Sequence, residues 1–433
     1  MNPPQPVPVV RTPPDRAPRW LRPALPDARG ACAVVLVGVA GGIGGAIAFT
    51  VLHAVQLAVF GFAWQTPLEA ADLTARWARF GTLVAAGVVA SFAWWAVRRR
   101  GSALVSVEAA VAGERMPFVS TLVNAVIQIV AVALGASIGK EVAPREIGGL
   151  LSQTITRGLG LNARRTRTLV ACGAAAGLAA IYHAPLGGAV FAVEVLIGEI
   201  ALGTVVPALA ASAIATLVAQ VLVHTAHPFA VPQSSVSPAL IVWSIVAGPV
   251  FGVGGLGFLW LTKRARTVTP NGRRLLLVMP ATFAAVGAVG MIAPQILGNG
   301  IALGEYSFHL PSSVTTSVVA LLGVGALGVV KGLATSASLG SGAVGGTLMP
   351  SIAMGAALGA CLGGLWTLLW PGSAVAAYAV LGATAFLATT SGAPLTAVVL
   401  VAELTGQPAL VVPAVLVVAG AIVVRRRLDL PRR

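Results

Sequence analysis

A chain of 433 residues with 57% hydrophobic and 9% charged residues, at a mean hydropathy of +0.90, is too apolar for a water-soluble fold and belongs with polytopic membrane proteins. The net charge of +15 does not describe a nucleic-acid surface, because the basic residues sit in short clusters: Arg98 to Arg100, Arg164 to Arg167, Lys263 to Arg266, Arg273-Arg274 and Arg425 to Arg427. Such clusters between apolar stretches are the cytoplasmic positive bias of a membrane protein.

In chain order, residues 1–30 are rich in Pro and Arg without an apolar period, and are expected to be a disordered cytoplasmic tail rather than a signal peptide. Ala31 to Trp64 is longer than one perpendicular span and fits a tilted helix. Further apolar stretches start near Arg79, Phe118, Arg167, Thr204, Ala239, Arg274, Val314, Pro350, Ala374 and Leu410. The length leaves room for roughly 10 to 15 helices of about 20 residues. Residues 426–433 form a basic cytoplasmic end, so both termini are placed in the cytoplasm.

Leu186 to Ile197 and Leu395 to Leu404 are too short to cross alone, and both open with Ala-Pro-Leu. Broken or re-entrant helices of this kind are tolerated only where they line a cavity or lie in protein. The two segments also match each other: Gly173 to Leu196 aligns without gaps on Gly382 to Thr405, pairing Pro185 with Pro394 and Glu194 with Glu403. Duplicated halves with breaks in matching places predict an all-α transporter fold with its site at the repeat interface. The first repeat is expected at about 79–225 and the second at about 239–425.

Residues 139–149 carry the densest intramembrane charge: Lys140, Glu141, Arg145 and Glu146 follow an apolar run and a glycine. Intramembrane carboxylates are costly and by default functional. The competing reading makes Glu141 a structural partner of Lys140 or Arg145. Gly135 to Lys140 is not a phosphate-binding loop, since its glycines are too close and Glu141 stands where Ser or Thr is required. No set of residues suited to nucleophilic or metal chemistry stands near the apolar helices, so an enzyme is not expected, and no cofactor is assigned. Cys32, Cys172 and Cys361 are far apart in apolar segments and read as small core residues. His183 reads as a packed polar residue at a helix entry.

Three motifs carry a resemblance to a known family. Gly139-Lys140-Glu141 with Ile147-Gly148-Gly149, Gly345-Gly346-Thr347-Leu348-Met349-Pro350, and Gly101-Ser102-Ala103-Leu104-Val105 resemble the signatures of the CLC chloride channels and chloride/proton antiporters, over about residues 31–425. The resemblance implies two inverted-type repeats, helix N-termini converging on a midplane anion site, and a homodimer with one pore per subunit. It places Glu141 at the family's gating glutamate. It makes Ser102, Gly139, Lys140, Val142, Leu348 and Met349 the anion-binding set, and Lys331 a basic residue behind it. Ser102 keeps the hydroxyl that fluoride-selective relatives lack, which implies chloride.

The chain departs from the pattern in five places, the first being Ala103 and Val105, which replace the second Gly and the Pro of the Gly-Ser-Gly-Ile-Pro signature. Val142-Ala143 replaces Gly-Pro, and Pro144 is expected to start the helix one residue later. Leu348 replaces Phe. Val195 stands at the position of the family's proton glutamate, beside Glu194. None of Tyr182, Tyr306 and Tyr378 matches the family's pore tyrosine, and no C-terminal regulatory domain is expected. Glu194 and Glu403 are each expected to brace their own half. The implied function is chloride transport gated by Glu141, uncoupled or weakly proton-coupled. The alternatives are a fully coupled chloride/proton antiporter and, from another class, a cation or solute transporter on a similarly duplicated fold; in each case the plasma membrane is the expected location.

Overall fold

The computed structural model describes residues 28–60, 75–99, 104–223 and 229–428. Apart from one isolated bridge, the described residues contain no strand. The first half comprises α1 (Ala28–Phe60), α2 (Arg76–Arg99), α3 (Val107–Ala112), α4 (Phe118–Ala133), α5 (Val142–Gly158), α6 (Ala163–Tyr182), α7 (Pro185–Phe191), a π-helical turn (Ala192–Ile197) and α8 (Leu202–Val223). The second comprises α9 (Pro238–Thr267), α10 (Leu275–Ile292), α11 (Ile301–Phe308), α12 (Ser312–Thr315), α13 (Val318–Gly340), α14 (Leu348–Leu369), α15 (Val375–Ser391), α16 (Pro394–Thr405) and α17 (Val411–Leu428).

Local sequence explains the ends of these elements. Asn162 caps α6, its Oδ1 accepting from the Arg165 amide at 3.0 Å, and Ser237 caps α9 in the same way at Leu240. Pro185 and Pro394 occupy the first positions of α7 and α16, where the missing N–H costs nothing. Gly198 and Gly406, both left-handed, stop the two segments. The short Ala-Pro-Leu segments of the sequence are therefore real breaks.

Eight helical segments among the described residues are long and apolar enough to cross a membrane: α1, α2, α8, α9, α10, α13, α14 and α17, two of them counted with a short preceding 3₁₀ turn. The protein spans the membrane. Outward side chains such as Val88, Val89 and Phe92 are apolar and exposed, as lipid contact requires.

The halves repeat their packing. α1 lies on α8 as α9 lies on α17, and α5 lies on α6 as α14 lies on α15. In both halves the second pairing is a backbone-to-backbone approach through glycine. A methyl group at Gly148 would lie 2.0 Å from the Gly173 carbonyl oxygen, and one at Gly355 would lie 2.5 Å from that of Gly382. Without an apolar driving force between helices in lipid, such contact supplies the packing. The halves join through α2 on α10 and α7 on α16.

Candidate functional site

The first turns of α5 and α14 approach each other at a two-residue bridge. The Gly139 amide donates to the Gly346 carbonyl at 2.8 Å, and the Gly346 amide donates back to Gly139 at 3.0 Å. Each helix carries a proline at its third position, Pro144 and Pro350, where no intrahelical hydrogen bond is lost. The expected delay of helix initiation to Pro144 does not occur: α5 starts at Val142, because a proline tolerated within the first turn need not be its first residue.

Glu141 precedes α5 and is 1% exposed. Its carboxylate folds over the bridge rather than toward a basic side chain. Oε1 accepts the Leu348 amide of α14 at 2.7 Å, and Oε2 accepts the Tyr182 hydroxyl at 3.2 Å. A methyl group at Gly346 would lie 1.9 Å from Oε1, and one at Gly139 would lie 2.2 Å from Oε2. Only glycine leaves the carboxylate room to lie there.

One expectation changes here, and the competing reading of Glu141 falls. Gly139, read as an anion ligand, spends its amide on Gly346 and contributes space instead. Glu141 is not the ion-pair partner of Lys140 or Arg145. Arg145 bonds Glu108 at 2.8 Å and stacks on Phe191, while the Lys140 ammonium lies over the rings of Tyr182 and Phe49, at 5.6 and 6.0 Å. Val142 and Met349 sit in the first turns of α5 and α14, beside the bridge. Ser102 lies outside the described residues.

Lys331, on α13, is fully buried. Its ammonium donates to Ser137 Oγ at 2.8 Å, to the Ile296 carbonyl at 2.8 Å and to the Gly298 carbonyl at 2.6 Å. Three hydrogens meet three acceptors. The lysine thus ties the strip leading to Glu141 to a loop of the other half. Arg98 and Arg266 hold the strip leading to α14 through the Gly342 and Gly345 carbonyls.

Glu194 and Glu403 do not brace their own halves; each caps the other. Glu194 accepts the amides of Leu395 and Thr396 at 3.1 and 2.7 Å, and the Thr396 hydroxyl at 2.7 Å. Glu403 accepts the amides of Leu186 and Gly187 at 2.9 and 2.6 Å. The reason is the antiparallel meeting of α7 and α16, which brings each glutamate to the other's uncapped start. Val195 follows Glu194 on the π-helical turn, half-buried.

The sequence reading missed Tyr182 and underused Glu146. Glu146 is buried and accepts from Asn124 at 2.8 Å and Gln128 at 3.0 Å, and Asn124 accepts from the Trp94 indole at 2.9 Å. A polar residue of α4 recurring at a helical interval, Asn124 and Gln128, was the available signal. His183, expected at a helix entry, ends α6 in the left-handed conformation (φ 53°), where the matching position of α15 has Gly392 (φ 71°).

These features define a polytopic helical membrane protein of two interlocked halves, joined where two helix N-termini meet over a buried carboxylate. The chain belongs to the CLC family: residues 81–426 match the family described as voltage gated chloride channel. It is 34% identical over 308 residues to a Ralstonia nicotianae protein described as a ClcB-like chloride channel protein, covering 68% of this chain and 69% of that one. It is 31% identical over 316 residues to the H(+)/Cl(−) exchange transporter ClcA of Vibrio parahaemolyticus, covering 69% of this chain and 65% of that one. A solved structure of a slow cyanobacterial Cl−/H+ antiporter shares the fold at a TM-score of 0.79 and 20% identity, over 93% of this chain and 95% of that one. The descriptions of the family and of these relatives all name chloride, and the chain is a CLC-family chloride-transport protein.

Proposed function

We propose that this protein carries chloride across the plasma membrane through a site at the meeting of α5 and α14, gated by Glu141. The observation that carries the reading is the seat of the carboxylate, accepting the Leu348 amide between Gly139 and Gly346. A donor that holds a carboxylate oxygen can hold a halide when the side chain leaves. Helix N-termini offer partial rather than full charges, so an anion binds there and can depart. Glu141 blocks the site when ionised and clears it when protonated. Val142, Met349, Lys140 and the Ser102 hydroxyl belong to the path, and Lys331 supports it from behind.

Val195 in place of a carboxylate favours uncoupled or weakly proton-coupled flux. The named antiporters among the similar proteins favour the second reading, full chloride/proton exchange. The first repeat is extended back from its expected start near residue 79 to α1, because α1 lies on α8 as α9 lies on α17. The protein works as a homodimer with both termini in the cytoplasm.

The test is chloride efflux from proteoliposomes recorded with proton movement, between acid and alkaline pH. Flux should rise as pH falls, with little opposing proton movement, and Glu141→Ala should flatten the pH profile. A wild-type profile in Glu141→Ala removes the gate assignment. Stoichiometric proton uptake driven by a chloride gradient establishes the coupled reading instead. No flux of chloride, fluoride or nitrate through well-folded protein ends the transport reading.

A further inference from the structure

Tyr182 is the last residue of α6, and its ring is fully buried. The left-handed turn at His183 ends the helix there and leads straight into α7, so Tyr182 stands at a fixed point of the scaffold. Its hydroxyl is the one side-chain donor to Glu141 among the described residues, reaching Oε2 at 3.2 Å. A carboxylate can only accept, so the phenol donates. Asn299, 9% exposed, neighbours the same hydroxyl. Its Oδ1 takes the Ile301 amide at 3.4 Å, which leaves the buried Nδ2 as the group on the side of the phenol oxygen. A donor group on that side leaves the phenolic proton nothing to bond but Glu141.

We infer that Tyr182 is a positioning residue of the gate: its hydroxyl latches the ionised Glu141 carboxylate over the Gly139–Gly346 bridge. The latch rests on the proposed gating role of Glu141. It acts on the ionised form, because a protonated carboxyl is a weaker acceptor and brings a hydrogen of its own. The blocked state is thereby deepened at neutral and alkaline pH, and the pH at which the gate clears is pulled downward.

Other charged or titratable groups stand on the elements packed around Glu141. They include Lys140, Arg145 and Glu146 on its own segment, His53 on α1, Glu108 on α3, His183 after α6, Glu305 on α11 and Lys331 on α13, while Arg29, Arg157, Arg164, Arg165 and Arg167 stand near the opposite ends of α1, α5 and α6. None of them bonds the Glu141 carboxylate. His53 stacks on Phe49, whose ring faces Lys140.

The test measures chloride efflux against pH in proteoliposomes for the full-length protein, Tyr182→Phe, Glu141→Ala and the double variant. Phenylalanine keeps the ring under Lys140 and removes only the donor. The flux midpoint should move to higher pH by about one unit, the scale of one hydrogen bond to a charged group. The substitution should change nothing in the Glu141→Ala background. An unchanged midpoint in Tyr182→Phe, with Glu141→Ala still flattening the profile, overturns the latch and leaves the gate standing. A pH response retained in Glu141→Ala overturns the gate itself. An equal effect of Tyr182→Phe with and without Glu141 assigns the tyrosine a structural role and also overturns the latch. If Tyr182→Phe does not yield monodisperse protein, a fluorinated tyrosine at position 182 replaces it. Its stronger donor should move the midpoint to lower pH, and no movement overturns the latch.

Discussion

Gly139 and Gly346 exchange both of their backbone hydrogen bonds across the two halves, and the carboxylate of Glu141 lies on the pair. Neither glycine is required by its φ; both are required by the side chain above them. A methyl group at Gly346 would meet Oε1 at 1.9 Å, and the bridge leaves the backbone no freedom to withdraw. The carboxylate is the far end of a rotatable side chain, so it moves first. Gly346→Ala should therefore displace Glu141 from the Leu348 amide and raise chloride efflux at pH 7.5 toward the level of Glu141→Ala, with loss of most of the pH response. Wild-type flux and pH response in a folded Gly346→Ala protein would show that the side chain seats elsewhere.

Glu194 and Glu403 form a reciprocal brace, each closing the start of the other half's broken helix. The amides they accept have no intrahelical partner, and at membrane depth no water replaces the lost acceptor. Glu194→Leu and Glu403→Leu should each lower stability by about 1–3 kcal/mol. Glutamine, which keeps one acceptor oxygen, should cost less than leucine. Because α7 and α16 pack on each other, the double leucine variant should fall short of the summed losses. Thermal unfolding in detergent reads these values, and strictly additive losses would mean that the two caps act independently.

The fold was largely legible. Repeated Ala-Pro-Leu, matched glutamates and long apolar stretches all follow from local chemistry that a single chain displays. Glu141 and Leu348 were legible as neighbours only through the motif resemblance. Nothing along the chain reveals that residues 207 positions apart share a hydrogen bond. Tyr182 was invisible for the same reason: it is one polar tip in an alanine-rich helix, and its meaning comes from a partner on another element. The exchange of caps between Glu194 and Glu403 was hidden by symmetry. Matched positions in two repeats look alike whether each glutamate serves its own half or the other, and only the packing of α7 on α16 separates the two cases. Gly139 was misread because a glycine beside an anion site can supply either an amide or room, and the bridge to Gly346 decides for room.

Lys331 offers the sharpest separation of charge from geometry. Its three acceptors, Ser137 Oγ and the carbonyls of Ile296 and Gly298, surround a compact ammonium at 2.6 to 2.8 Å in a fully buried pocket. Methionine fills similar volume without a donor and leaves those oxygens less satisfied, although Ser137 still reaches Ile296 at 3.0 Å. Lys331→Met should therefore cost about 1–3 kcal/mol in thermal unfolding. Arginine keeps the charge but brings a planar fork too large for the pocket and ill matched to acceptors arranged around a point. Lys331→Arg should consequently destabilise the protein as well, despite being the conservative change in charge. Ser137 lies four residues before Glu141 on the strip that the lysine ties down, so both variants should also broaden the pH response of chloride efflux as the seat of the carboxylate loosens. Wild-type stability in Lys331→Arg would show that charge alone, and not the three-acceptor pocket, is what this position supplies.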